Sequence, residues 1–400
     1  MRPKLYIAAY HQSRFGKLLE LGVPEILSRA ARETLAEVGA DPALVDVAAV
    51  GAVGNISLND QGLLAGLVAM VPGLGGKPIA AVENACASGG QALLTVAHQL
   101  LIGDGELGLA LGFEKMRDDQ GRMDGERIGR ALSPFTHPQD RPGKSPVVPH
   151  LFAEVMALYM RTWGVTERDL AAITCQEYRN GNDNPYAQMQ AVQLSLEQAL
   201  AVSERNRYIV PGLPLKTSDC SQVTDGYAGL LLATETGLDR LGLAKGDCVE
   251  LAGYAQATDP LQLAGRDLLH PDGAYRAMAR AYAMAGLTAA DVNVAEIHDC
   301  FTVMAAIGTE VLGKAAPGRG AAYWVDGHAA PRGECGINTS GGLIAKGHPI
   351  GATGLAMIGW CAWQLLGKVP APLQVPNPRA AATFNIGGPI CASVCTLLKA

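Results

Sequence analysis

Two cysteines and two histidines stand where their side chains could take part in catalysis. Cys86 follows a short apolar run at 79–82 and precedes apolar residues at helical spacing, so it lies at a predicted strand-to-helix turn. His348 lies on a glycine-rich loop, and His298 and Cys300 lie together after another apolar run. An imidazole that takes the proton of a thiol makes it an acyl-accepting nucleophile, and can later return that proton. The four residues therefore predict acyl transfer through a thioester, with the His298–Cys300 segment stabilising an oxyanion and moving a proton at carbon.

The small residues that follow Cys86 predict how its thiol is activated. Ala87, Ser88, Gly89 and Gly90 allow a tight turn, which puts the sulfur at the start of a helix. The helix dipole and the free N–H groups at that end lower the pKa of a thiol. We therefore expect the pKa of Cys86 to fall from about 8.5 toward neutrality. The alternative is a buried cysteine that fills a gap beside glycine, which is the common state of an isolated cysteine.

The elements that must position these residues alternate between strand and helix. This alternation predicts an α/β fold with a largely parallel, buried sheet. Apolar runs that predict strands lie at 4–10, 45–53, 79–82, 107–113, 249–257 and 292–297. The apolar residues that follow the 219–229 segment predict a helix, and 382–398 predicts a hairpin. The polar segment that starts at Arg179 predicts an ordered loop over a site.

The chain also divides into two parts. Two strand–tip–helix units, each with a cysteine at the tip, suggest two similar halves. The pair Asp259–Pro260 is the candidate boundary, so we predict an N-terminal half at 1–258 and a C-terminal half at 259–400. Between about 116 and 216, clustered prolines and a change in composition predict an inserted loop domain.

Composition excludes several classes of protein. The chain has 400 residues, of which 48% are hydrophobic and 18% charged, which suits helices packed on a buried sheet. A formal charge of −6 without a basic block argues against a nucleic-acid partner. No run approaches the roughly 18 apolar residues that span a membrane, so no membrane association is expected. Nine cysteines without an apolar leader favour a reducing compartment, and we predict a cytoplasmic protein. The close pair Cys391 and Cys395 lacks a matching second pair, so no metal is expected.

Seven motifs, in order over nearly the whole chain, resemble those of thiolases, specifically the sterol-carrier-protein-type branch. They are Asn84-Ala-Cys86-Ala-Ser-Gly-Gly, Gly-Phe-Glu-Lys-Met116, Asn-Pro185-Tyr-Ala-Gln, Asp219-Cys-Ser-Gln-Val-Thr-Asp-Gly, His298-Asp-Cys300-Phe, Gly347-His348-Pro349-Ile-Gly-Ala-Thr-Gly and Asn385-Ile-Gly387-Gly. The resemblance implies the thiolase fold: two similar βαβαβ-type halves in five layers (αβαβα) with an inserted loop domain. It also implies a homodimer or homotetramer.

The resemblance further implies roles for single residues. Cys86 would be acylated, and His348 would activate it and contribute to an oxyanion hole. His298, which replaces the asparagine of ordinary thiolases, would be the other donor in that hole. Ordinary thiolases carry a second catalytic cysteine where this chain has Asn385, and in the sterol-carrier-protein-type branch Cys300 is taken to assume that acid/base role.

Binding roles follow from the same resemblance. The backbone N–H groups of Cys86 and Gly387 would form the hole for the thioester oxygen, and Ser221 would contact the substrate. Acyl specificity is left open, because Tyr178 stands where related loops carry histidine and Cys175 is also unusual.

The implied activity is that of an acyl-CoA C-acyltransferase. Such an enzyme cleaves 3-ketoacyl-CoA with CoA, or runs the reverse Claisen condensation, through acyl-Cys86. No permanently bound cofactor is expected, and CoA serves as co-substrate. One alternative is a decarboxylating ketoacyl synthase, which would not need Cys300. Another is a non-catalytic acyl-CoA-binding thiolase-like subunit of a complex. A small acyl-CoA-handling protein is a candidate partner of this chain.

Overall fold

The structure is a computed structural model that describes residues 3–400. Within that range, ten strands pair into one mixed sheet. The strands are β1 (Tyr6–Gln12), β2 (Val47–Gly51), β3 (Ile79–Val82), β4 (Leu107–Glu114), β5 (Gly226–Ala233), β6 (Val249–Thr258), β7 (Val294–Ile297), β8 (Gly336–Ile337), β9 (Ala380–Gly387) and β10 (Ala392–Lys399). Their order across the sheet is β3-β2-β4-β5-β1-β6-β10-β9-β7-β8.

Helices cover the sheet on both faces and build the segment between β4 and β5. They are α1 (Val23–Ala36), α2 (Asn55–Asn59), α3 (Leu64–Ala69), α4 (Ser88–Ile102), α5 (Gly125–Leu132), α6 (Val147–Trp163), α7 (Glu167–Asp183), α8 (Leu196–Leu200), α9 (Glu235–Leu241), α10 (Asp272–Ala285), α11 (Thr302–Val311), α12 (Gly320–Val325) and α13 (Ile350–Leu365). A π-helical turn, Gly342–Lys346, precedes α13. The inserted segment carries α5 to α8, in agreement with the predicted loop domain.

The strand order repeats in the two parts of the chain. Read inward from its edge, the first part runs β3-β2-β4-β5-β1, and the second runs β8-β7-β9-β10-β6. Each strand of one part thus has a counterpart five strands later, which confirms the prediction of two similar halves. The sheet continues from one half to the other where two residues of β1 pair with two of β6.

Strand pairing also bears on where the halves divide. β6 pairs with β10 from one end to the other, so it is the first strand of the C-terminal repeat. We therefore propose that the repeats divide before Val249. The boundary between residues 258 and 259 remains a prediction of the sequence.

Three layers of helix and two layers of strand form the body of the molecule, as predicted. α1 and α3 pack on the outer face of the N-terminal half. α10 and α11 pack on the outer face of the C-terminal half. α4 and α13 lie between the halves, where their apolar side chains pack with residues from the strands of both. Burial of these surfaces is the main source of stability, at about 25 cal/mol for each Å² of apolar area removed from water.

Two predicted elements differ in the structure. The apolar run after Asp225 is the strand β5 and not a helix, because a strand buried on both faces has the same unbroken apolar pattern as a buried helix. The segment predicted as a loop from Arg179 to Met189 is helical at its start, where it completes α7, which ends at Asp183, whereas residues 184–189 lie outside helices and strands as predicted. Across residues 3–400, no helix combines the length and the apolar character that crossing a membrane requires.

Close contact between the two central helices brings their first turns together. A Cβ atom on Gly89 would lie 2.7 Å from the carbonyl oxygen of Gly351, and one on Gly351 would lie 2.4 Å from the carbonyl oxygen of Phe113. Both distances are shorter than a side chain tolerates. The glycines therefore allow an approach that brings the loops in front of α4 and α13 into one region.

Candidate active site

Cys86 occupies a strained turn between β3 and α4, as the sequence predicted. Ala85, just before it, has a left-handed backbone with φ of 46°, which costs a residue with a side chain about 1–2 kcal/mol. The hydroxyl of Ser88 holds this turn, since it accepts from the Asn84 N–H at 2.8 Å and donates to the Ala85 carbonyl at 2.7 Å. Strain fixed in this way is typical of a functional site.

The contacts of His348 define which ring nitrogen carries its proton. The hydroxyl of Thr353 donates to the Pro349 carbonyl at 3.0 Å, and its oxygen lies 2.7 Å from His348 Nδ1. Because the hydroxyl proton is already used, the hydroxyl oxygen accepts and Nδ1 donates. Nε2 of the neutral ring then carries a lone pair and can act as a base. The Thr224 hydroxyl also accepts from the His348 backbone N–H, at 2.9 Å.

His298 has the opposite tautomer, and Asn385 is the cause. The amide nitrogen of Asn385 donates to the Cys86 carbonyl at 3.0 Å, which fixes the orientation of the amide. The same nitrogen lies 3.0 Å from His298 Nδ1, which must therefore accept. The proton of the neutral His298 ring consequently sits on Nε2, which is a hydrogen-bond donor.

The reactive groups converge on one small space. The two imidazole rings lie edge to face with centroids 4.9 Å apart. One nitrogen of each ring and Sγ of Cys86 all lie within 4.8 Å of one another. Within residues 3–400, neither His298 Nε2 nor His348 Nε2 has a hydrogen-bond partner, although both are buried. The site thus holds one thiol, one basic nitrogen and one N–H donor that are free to meet a substrate.

Cys300 and Ser221 belong to the same region. The Cys300 thiol is buried and lies close enough to Cys86 for the charge of one to affect the pKa of the other. The Ser221 backbone N–H donates to the Cys300 carbonyl at 2.9 Å. Ser221 thus holds the strand tip that carries Cys300, and its role in contacting substrate remains a prediction.

The expected activation of Cys86 by the helix dipole is wrong in direction. Burial, reinforced by the negative charge of Glu114, raises the pKa of Cys86 to about 12. The N–H groups of Gly388 and of Cys86 itself act in the opposite direction without offsetting burial. Cys86 is therefore a thiol at neutral pH, and a base must remove its proton before the sulfur can act as a thiolate.

The other groups of the site are also uncharged. Burial lowers the pKa of His348 to about 3, and burial and the neighbouring His348 lower that of His298 well below its ordinary value. Burial, with the nearby Cys86, raises the pKa of Cys300 well above its usual range. Two thiols and two neutral imidazoles thus meet at neutral pH, so any proton movement is coupled to the reaction of a substrate.

Gly387 serves the geometry of the turn. A Cβ atom there would lie 2.2 Å from the Asn84 carbonyl oxygen, so only glycine allows β9 to pass so close to the turn that carries Cys86. The N–H group that reaches the Cys86 sulfur is that of the next residue, Gly388. Gly387 as a donor to the thioester oxygen remains a prediction.

Glu114 ties the two loops together, a role that sequence reasoning missed. Its carboxylate accepts from the Gly54 N–H at 2.8 Å, from the Val53 N–H at 3.2 Å and from the Gly351 N–H at 3.1 Å. The last bond satisfies a free N–H in the first turn of α13. Burial raises the pKa of Glu114 to about 7 despite these donors. Its place in the Gly-Phe-Glu-Lys-Met116 motif was the available signal.

A buried carboxyl pair supports the other side of the site. Asp299 lies between His298 and Cys300 in the chain. Its carboxylate accepts from the N–H groups of Leu343 and Ile344 at 2.8 and 3.3 Å. Glu177 hydrogen-bonds to it, and burial together with the charge of Asp299 raises the pKa of Glu177 well above its usual range. Glu177 therefore holds a proton that it donates to Asp299. No sequence signal marked Glu177, because it arrives from α7 in the inserted segment.

Comparison with protein-family models gives two matches. Residues 6–198 match the model described as "Thiolase, N-terminal domain", and residues 255–400 match "Thiolase C-terminal domain-like". The chain is 30% identical to an acetyl-CoA acetyltransferase of Methanothermobacter thermautotrophicus, over 94% of each chain. It is 30% identical to benzoylsuccinyl-CoA thiolase subunit BbsB of Thauera aromatica, over 96% of this chain and 95% of that one. Human sterol carrier protein 2 is 31% identical over 91% of this chain, which spans 65% of that protein.

Solved structures share the fold. An assembly described as Ltp2-ChsH2(DUF35) aldolase contains a chain with a TM-score of 0.80 and 21% identity, covering 100% of this chain and 99% of that one. Human mitochondrial 3-ketoacyl-CoA thiolase in complex with CoA has a TM-score of 0.73 and 16% identity, covering 100% and 98%. At these identities the likeness establishes the fold alone.

Proposed function

The chain belongs to the thiolase family, and from this premise we propose that it is an acyl-CoA C-acyltransferase that works through acyl-Cys86. The reaction is the CoA-dependent cleavage of 3-ketoacyl-CoA, or the reverse Claisen condensation. The observation that carries the proposal is the pair of opposite tautomers at the Cys86 thiol: His348 presents a base, and His298 presents a donor.

The first step forms the acyl-enzyme. His348 Nε2 takes the Cys86 proton as the sulfur attacks the ketone carbon of the substrate. Because both groups are neutral at rest, proton transfer accompanies attack instead of preceding it. The N–H groups of Cys86 and Gly388, which already point at the sulfur, support a hole for the oxygen that becomes negative at this carbon.

The second step breaks the carbon–carbon bond. Electrons of that bond move to the departing acetyl-CoA, which leaves as an enolate. The Nε2–H of His298 suits the stabilisation of the enolate oxygen, because it is buried and has no other partner in the described chain. Cys300 gives its proton to the enolate carbon, a task that suits a thiol kept protonated by burial.

The third step releases the product. CoA gives its thiol proton to the Cys300 thiolate and attacks the thioester. The acyl group leaves on CoA as His348 returns its proton to Cys86. All four groups then hold the protons with which they started, so the cycle needs no further cofactor.

The two alternative functions, a ketoacyl synthase and an acyl-CoA-binding subunit, differ from the proposed one in which site residues they use. A decarboxylating ketoacyl synthase would obtain its enolate by loss of CO₂ and would leave the Cys300 thiol without a task. A subunit that only binds acyl-CoA would not need a base on His348 and a hydrogen-bond donor on His298. The presence of both features favours the thiolase reaction.

We also propose partners. CoA and acyl-CoA are the small-molecule partners, as the CoA complex of the human mitochondrial relative supports. The names of two relatives, one a thiolase subunit and the other a complex with a DUF35 protein, support a small acyl-CoA-handling partner. A second copy of this chain is a further partner, since β3 leaves one edge of the sheet unpaired and large apolar side chains are exposed nearby, Leu63 at 83% and Met70 at 71%. Size-exclusion chromatography with light scattering tests this dimer, and Met70→Asp should weaken it.

Acetoacetyl-CoA and CoA test the reaction. We expect loss of acetoacetyl-CoA, and an acetyl adduct on Cys86 in the intact mass of the protein. Cys86→Ala should lose both, and turnover at the parent rate would show that the nucleophile is another residue. Cys300→Ala should still be acylated by acetyl-CoA but should fail to cleave the substrate. Cys248→Ser, which alters a buried thiol packed with Tyr6 and Leu238 outside the site, is the matched control.

A further inference from the structure

The converging groups of the site also form a set of metal ligands. Cys86, His298 and His348 offer one sulfur and two imidazole nitrogens, and these three atoms lie within 4.8 Å of one another. Cys86 lies more than 200 residues before the two histidines, which are themselves 50 residues apart, so no spacing motif could reveal the set.

The donor chemistry selects the class of metal. One thiolate with two imidazoles is a set that Zn²⁺ binds tetrahedrally, with a water or another ligand in the open fourth position. Ideal bonds of about 2.3 Å to sulfur and about 2.0 Å to nitrogen put such ligand atoms about 3.5 Å apart. Side-chain movements of about 1 Å therefore suffice to close the three ligands around one ion.

A second observation points to a ligand in this space. The Nε2 atoms of His298 and His348 are buried and have no hydrogen-bond partner within residues 3–400. Buried polar atoms are ordinarily satisfied, so two free nitrogens that face one thiol mark a place for a bound species. A CoA substrate is one such species, and a zinc ion satisfies the same atoms without any substrate.

We propose that this site binds one Zn²⁺ ion reversibly through Cys86, His298 and His348, and that the bound ion blocks acyl transfer. On binding, Cys86 loses its thiol proton to solvent as the sulfur–zinc bond forms, with no change in oxidation state. The ion then occupies the nucleophile, the base and the oxyanion donor together. Inhibition is competitive with acyl-CoA, because a thioester carbon and the ion cannot share the sulfur.

Asn385 sets how tightly the ion binds. Ligation through His298 Nε2 requires the ring proton to move to Nδ1, which now faces an amide donor. The Asn385 oxygen has no partner in the described chain, so rotation of the amide could offer it to Nδ1 at the cost of the bond to the Cys86 carbonyl. Asn385→Asp provides that acceptor without rotation, as in a carboxylate–histidine–zinc arrangement. It should tighten zinc binding about tenfold or more.

Metal titration of the purified protein tests the proposal without reference to turnover. We expect one Zn²⁺ per chain by competition with a chromophoric chelator, and a sulfur-to-cobalt charge-transfer band with Co²⁺. Cys86→Ser should abolish the band, His298→Ala should weaken zinc binding at least about tenfold, and the chelator should restore activity. His11→Gln is the matched control, because that half-buried histidine lies outside the site, beside Glu33 and Glu37.

Two results would overturn the inference: absence of stoichiometric binding, or binding that Cys86→Ser leaves unchanged. Zinc that stays bound after Cys86 is acetylated would overturn it too. A protein that binds zinc as described but does not cleave acetoacetyl-CoA would instead contradict the proposed reaction and leave the metal site standing.

Discussion

Replacement of Asn385 by aspartate is the sharpest test of the tautomer argument. In the native site the amide donates to His298 Nδ1 and so keeps a proton on Nε2. A carboxylate at the same place accepts instead, which moves the ring proton to Nδ1 and leaves a lone pair facing the enolate oxygen. The substitution changes few atoms, and its main effect falls on one proton.

The expected magnitude follows from the two bonds that are lost. Loss of one preorganised oxyanion donor costs about 10²- to 10³-fold in rate. Loss of the bond to the Cys86 carbonyl adds about 1 kcal/mol, or about fivefold, through a less well-fixed nucleophile turn. Asn385→Ala removes the amide that donates to His298 Nδ1 but puts no acceptor in its place, so His298 keeps its proton on Nε2. Only the loss of rate of about fivefold is therefore expected for this variant. The contrast between the two variants isolates the position of the proton.

Two assays separate the half-reactions. In the proposed reaction, cleavage of acetoacetyl-CoA uses the His298 donor at the enolate oxygen, so Asn385→Asp should lower kcat about 10²- to 10³-fold or more with KM little changed. Exchange of the acetyl group between acetyl-CoA and labelled CoA uses only the Cys86 side of the site and should fall no more than about fivefold. Cleavage by Asn385→Asp at more than a tenth of the parent rate would refute the reasoning. Equal losses in Asn385→Ala and Asn385→Asp would also refute it, since the amide would then act only as a spacer.

Three further predictions concern the support of the site. The folded pKa of Glu114, about 7, lies above its ordinary value of 4.5, so its stabilisation is complete below pH 4.5 and is lost as pH rises through 7. Urea titrations at pH 5 and pH 8 should show that the native protein loses about 2.5 kcal/mol more than Glu114→Gln over this range, and parallel losses would contradict the shift. Asp299→Asn leaves the backbone N–H of Leu343 or of Ile344 without an acceptor, and it should lower the free energy of unfolding in urea by about 2 kcal/mol. Glu177→Gln keeps a donor to Asp299, so its loss of stability should be smaller. Ala85→Gly should raise the free energy of unfolding by about 0.5–1 kcal/mol, because glycine adopts the left-handed backbone without strain; a lower value would show that the turn is not strained.

Much of the fold could be predicted because its signals are local. The turn at Cys86 follows from an apolar run, four small residues and a helical period. β5 was misassigned as a helix because an unbroken apolar run satisfies either structure when both faces are buried, and only pairing with β4 and β1 decides. Tertiary context decided where the local pattern was ambiguous.

The sequence predicted that Cys86, His298, Cys300 and His348 lie in one region, but not the electrostatics of that region. A helix start beside Cys86 indicates a lowered thiol pKa only while solvent surrounds the sulfur, and in the structure Cys86 packs against the apolar cluster that contains Val53, Met116 and Ile350. Asn385 was recognised as a departure from ordinary thiolases, yet its hydrogen bonds to Cys86 and His298 join residues far apart in the chain. Partners of this kind become visible only once the chain has folded.

The repeated strand order bears on how such a site can arise. Cys86 follows β3 and precedes α4, and His348 follows β8 and precedes α13, so the two occupy equivalent places in the two repeats. An ancestral pair of identical half-length polypeptides would present the same side chain at both places, either two sulfurs or two imidazoles. Fusion into one polypeptide frees each place to mutate independently of the other. A proton donor and its acceptor can then face each other across what was once a symmetry axis.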